Sequence, residues 1–188
     1  MQRALTFERM PGLMAPMRFF LAAPLFAMLA ALVLLFSGPD AWSSRWSPVM
    51  LSVTHLFTLG ILTMSMAGSL IQLLPVAFRI QIPWPDLLGL IVFLLLGTGT
   101  LILAGAFLTL SNPLFIMAAT LLGSGLAIFI FTLNLGFWLS RKQQAEKARA
   151  SILAVRYSVA SLTITVMLGF TLVYAFIHPL NLSLVALT

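Results

Sequence analysis

Residues 52–76 read SVTHLFTLGILTMSMAGSLIQLLPV, and this stretch decides the fold. It is apolar over a length that crosses a bilayer, for which a helix needs about 20 residues. One imidazole, His55, interrupts its first third. An ionisable group at membrane depth is costly, so His55 is a functional-site candidate from the outset. Thr54, Thr58, Ser65, Gly68 and Gln72 recur at steps of three, four and seven. On a regular helix that spacing predicts one polar-to-small stripe, with His55 at its margin.

The rest of the chain has the same character. Of 188 residues, 61% are hydrophobic and 7% are charged, and the mean hydropathy is +1.11. Soluble domains carry about 25% charged residues, and a small water-soluble core cannot bury this much apolar surface. The composition predicts an integral membrane protein. Its apolar runs are continuous and far longer than the ~10-residue alternating strands of a barrel, so the fold class is all-α.

The net charge of +6 sits in short segments between apolar runs, the pattern of membrane topology and not of a nucleic-acid-binding face. No cysteine is present. Disulfides, iron–sulfur clusters, thiolate zinc sites and thioether-attached heme are therefore excluded within these 188 residues. The first apolar run is too long, and lacks the small-residue site, for a cleavable signal peptide.

Reading outward from residues 52–76, five spans are predicted: about 17–36, 49–74, 87–108, 114–139 and 152–177. Residues 1–16 form a short N-terminal arm broken by Pro11, Gly12 and Pro16, and residues 17–188 a single transmembrane domain. Pro24 is a candidate kink in the first span. Trp42 and Trp46 flank Arg45 in a loop suited to the headgroup layer. Pro75, Pro83 and Pro85 bracket the next connection, and Ser111-Asn112-Pro113 the one after. Gly97, Gly99, Gly105, Gly123 and Gly125 predict close helix–helix approach. Placing the N-terminus inside puts Arg3, Arg9, Arg18, Arg79, Arg141, Lys142, Lys147 and Arg149 on the cytoplasmic face, against Arg45 alone outside. That asymmetry predicts a polytopic bundle with the N-terminus inside and the C-terminus outside.

In this orientation His55 lies roughly 10 Å below the outer end of its helix, and His178 ends the fifth span on the same side. Neutral imidazole is a good ligand for heme iron, and six-coordinate b-type heme takes two axial ligands. The plainer readings are that His55 hydrogen-bonds a neighbouring helix and that His178 caps a last turn. Arg156-Tyr157 suits a lipid phosphate, a quinone head, or an arginine simply snorkelling beside an interfacial tyrosine. Asn134 suggests an interhelical hydrogen bond, and Met64 and Met66 face opposite ways on their helix. No Asp or Glu lies inside a predicted span, which argues against an acid-coupled pump. No paired-histidine metal motif is present either.

The run Thr54-His55-Leu56-Phe57-Thr58-Leu59-Gly60, followed by Gly68 and Gln72-Leu73-Leu74-Pro75-Val76, resembles membrane proteins similar to subunit I of heme–copper oxidases. Arg18-Phe19-Phe20-Leu21-Ala22-Ala23-Pro24 is similar to the first span of that group. The resemblance covers about a third of the chain. It implies a heme-ligand role for His55, with heme b the expected cofactor; the other axial ligand is His178 or comes from a second protomer, and Arg45 and Thr58 are further cofactor-binding candidates. It also implies electron transfer or heme handling, a redox partner on the outer side, and a bacterial inner membrane location. The chain has too few spans for an oxidase and lacks the histidines that hold copper and the high-spin heme. It is thus not expected to reduce oxygen or nitric oxide alone, and a homo-oligomer or a partner membrane subunit is implied. Two other readings remain: a heme-free accessory or assembly subunit of a larger complex, and half of a small-solute transporter.

Overall fold

A computed structural model describes residues 12–141 and 149–177. The N-terminal arm up to residue 11, Lys142, Lys147 and His178 lie outside the described residues. Five helices are long and apolar enough to cross a membrane. They are α1 (Met14–Ser37), α2 (Pro48–Phe78), α3 (Pro85–Thr109), α4 (Asn112–Leu139) and α5 (Arg149–Ile177). No strand occurs among the described residues.

The helix boundaries follow local chemistry. Ser47 caps α2, its hydroxyl accepting from the Met50 amide at 3.2 Å, with Pro48 at the first helical position where no amide is needed. Pro85 and Pro113 open α3 and α4 in the same way. Pro24 lies within α1, which continues to Ser37. Pro75, expected to end the second span, instead lies inside α2. A proline within a helix removes its own amide bond and crowds the carbonyl four residues back, yet the helix runs on to Phe78. Termination comes at Arg79, which is left-handed with φ 56°, while the Ile80 amide reaches back to the Leu74 carbonyl at 3.1 Å. The Arg79 amide also reaches the Leu74 carbonyl, so the closure is made without a glycine.

α3 and α4 form the tightest pair, α1 and α2 pack on one another and on α3, and α5 rests principally on α4. Small residues set these contacts, because helices in lipid associate through close packing rather than hydrophobic expulsion. A β-carbon on Gly99 would meet the Leu122 side chain at 2.8 Å, and one on Gly125 the Leu95 side chain at 3.0 Å. Phe170 of α5 seats its ring in the notch at Gly123. Two buried serines are paired: the Ser52 hydroxyl donates to the Ala104 carbonyl across α2–α3 at 3.2 Å, and the Ser140 hydroxyl accepts the Gln81 amide at 2.8 Å.

Trp42 and Trp46 are exposed at one end of the bundle, Trp84 and Trp138 at the other. The second end also gathers Arg18, Arg79, Arg141 and Arg149, and the first carries Arg45. Tryptophans at two levels separated by apolar surface mark two bilayer interfaces.

Candidate functional site

His55 is the last residue of an α-helical turn (Pro48–His55), and the next eight residues, Leu56–Thr63, are π-helical before α geometry resumes at Met64. Side-chain chemistry accounts for the wide turn. The Thr63 hydroxyl donates to the Thr58 carbonyl at 2.9 Å, five residues back, matching the π spacing rather than the α spacing. At Gly60 the ring of Phe26 from α1 presses so close that a β-carbon would overlap it. Glycine is therefore required where α1 crosses the π segment.

The imidazole is half-buried between α2 and α3. Its Nδ1 lies 2.7 Å from the Leu51 carbonyl. A carbonyl only accepts, so Nδ1 carries a proton in this bond, and in the neutral ring Nε2 is the nitrogen with the free lone pair. The ring also lies against Phe107 of α3, with centroids 4.8 Å apart and planes tilted by 31°. Phe107 in turn meets Phe115 of α4 edge-on at 5.0 Å. Two helices thus hold the imidazole plane, α2 through the Leu51 carbonyl and α3 through the Phe107 ring, and Phe115 of α4 backs Phe107.

The π segment changes what else lies near His55. The stripe expected from Thr54 to Gln72 is not continuous. Thr54, Thr58 and Gln72 are exposed, Ser65 is half-buried, and Gly68 is buried against Phe19 of α1. Eight residues of wider turn rotate the lower half of the helix away from the register an α-helix would keep. Thr58 spends its hydroxyl on the Thr54 carbonyl at 2.9 Å. Arg45 is exposed in the loop, its guanidinium 5.2 Å from the Trp46 ring centroid. None of the contacts of Arg45 or Thr58 reaches His55.

Asn134, expected to bridge helices, donates instead to the Ile130 carbonyl of its own helix at 2.9 Å and is exposed. Met64 is fully buried and Met66 exposed, so they do face opposite ways. No group of three or more His, Cys, Asp or Glu side chains comes together among the described residues. An apolar groove of about 430 Å³ opens between α1 and α3, lined in part by Ala22, Phe26, Leu29, Phe93, Gly97 and Leu101, and His55 is not on its wall. Phe107, Phe115 and the π segment are the site features that sequence reasoning missed. The threonines five apart around Gly60 were the available signal for the last.

Compared with protein-family models, curated proteins and solved structures, the chain matches none.

Proposed function

We propose that this chain is an integral membrane b-type heme protein, serving electron transfer or heme handling, with His55 as one axial ligand. The observation that supports this reading is the committed Nδ1–H. A ligating histidine usually gives its second ring nitrogen to a carbonyl or carboxylate, which orients the ring and strengthens the free nitrogen as a donor. The bond from His55 to Leu51 has that form, and the Phe107 contact limits rotation of the ring.

This donor chemistry fits one axial position. Heme, when bound, supplies one-electron chemistry at its iron. His55 would hold the iron through Nε2, and Leu51 and Phe107 would keep the ring aimed. The second position would fall to His178 or to a residue of a second copy or partner subunit. Arg45 and Thr58 stay in the proposal as cofactor contacts on the same outer portion of the chain. The kinship proposed is with proteins similar to subunit I of heme–copper oxidases, without oxygen or nitric oxide reduction by this chain alone. The arginine distribution supports an inside N-terminus, and the proposal adds an outer-side redox partner and a bacterial inner membrane setting.

The test is optical. The purified full chain should show Soret and α bands in a reduced-minus-oxidised spectrum, and His55→Ala should abolish or strongly shift them. Absence of the bands, or their full retention in H55A, overturns the proposal.

A second reading has its own support. Only 6% of the most apolar window of the fifth span is buried, leaving a long helix face free for another subunit. As a heme-free accessory subunit, the chain would co-purify stoichiometrically with a larger complex and carry no iron.

A further inference from the structure

We propose that the arginine-rich end of the α4–α5 pair binds the phosphodiester headgroup of an anionic phospholipid, through Arg149 and Arg156. This inference is independent of the heme reading. Arg149 and Arg156 are seven residues apart on α5, a spacing that returns nearly to the same side of a helix at 100° per residue. They form a two-step ladder along one flank, the lower rung roughly 10 Å deeper along the axis.

Arg156 sets its guanidinium 5.9 Å from the centroid of Phe137 on α4. That ring covers one face of the cation, leaving edge N–H donors to be satisfied. Neither α4 nor α5 contains an acidic residue. The two carboxylates among the described residues are elsewhere: Asp40 lies in the turn after α1, at the opposite end, and Asp86 opens α3 beside Gly12. A guanidinium that snorkels to the interface at this position gains from an anionic partner, and no side chain of the α4–α5 pair provides one.

A phospholipid phosphate is the partner that the position selects. Arg141 extends the basic patch at the end of α4. Trp138 and Tyr157, 61% and 66% exposed, flank it with amphipathic rings that favour the headgroup level. Basic clusters between membrane helices at one interface recognise anionic headgroups through paired N–H···O bonds that a zwitterionic lipid satisfies less well.

Trp138 is a built-in reporter. With Trp42, Trp46 and Trp84 each replaced by Phe, the full chain is reconstituted in phosphatidylcholine bilayers, and brominated phosphatidylglycerol or brominated phosphatidylcholine is titrated in. Each engaged arginine is expected to favour the anionic lipid roughly fivefold. The preference should shrink in R149K/R156K, which keeps both charges but loses the paired donor geometry, and fall towards unity in R149Q/R156Q. Equal quenching by the two brominated lipids in the parent protein overturns the proposal, and needs no arginine variant to fold. Full preference retained in R149Q/R156Q overturns it as well.

Discussion

At the scale of single residues, the crossing of Phe26 over Gly60 is a contact with little room for change. A methyl group at Gly60 would overlap the Phe26 ring, and overpacking of this kind costs about 1–3 kcal/mol. Gly60→Ala should therefore lower the midpoint of denaturant unfolding in mixed micelles, and Phe26→Ala in the same chain should recover part of the loss. No recovery would mean that the glycine matters for the π backbone rather than for the ring. The sequence showed His55 as an outlier because its residue type is rare at membrane depth. It could not show where the proton sits, since that depends on a carbonyl four residues back. The misplaced expectation for Asn134 has a related cause. Asn, Ser and Thr side chains in a helix always have a carbonyl of their own helix within reach. Asn134 and Thr58 take it.

At the scale of elements, the existence of five spans was legible from hydropathy, because each run exceeds the bilayer thickness. Their ends were less so. Pro75 reads as a terminator, yet the backbone bonds around Arg79 terminate the helix instead. The π segment was hidden because it needs Thr63, Thr58 and the distant Phe26 together, and only the first two are neighbours in sequence. α5 is held less firmly than the other helices: it buries Ile152 and Val159 near its start and sets Phe170 in the Gly123 notch further along. Phe170→Ala should raise amide hydrogen exchange along residues 160–177 while leaving α3 protected. Unchanged exchange in α5 would show that the other contacts on α4 suffice.

At the scale of the whole molecule, two aromatic belts and one arginine-rich end determine how the bundle sits, and both were readable from residue order alone. The absence of cysteine makes orientation directly measurable. With the arginine-rich end inside, Trp46→Cys should react with a membrane-impermeant maleimide on intact cells, and Trp84→Cys only after permeabilisation. The reverse pattern would invert the topology and place His55 near the inner surface. Packing partners were not readable, because which glycine receives which side chain depends on helix rotation. That dependence gives the π segment a consequence for the assembly. A regular helix between fixed neighbours transmits any insertion or deletion as a rotation of everything beyond it. A stretch already holding surplus chain can absorb a lost residue by tightening to α geometry. Leu56–Thr63 is thus slack in the second span, and it lies immediately after the one imidazole whose aim has to be kept.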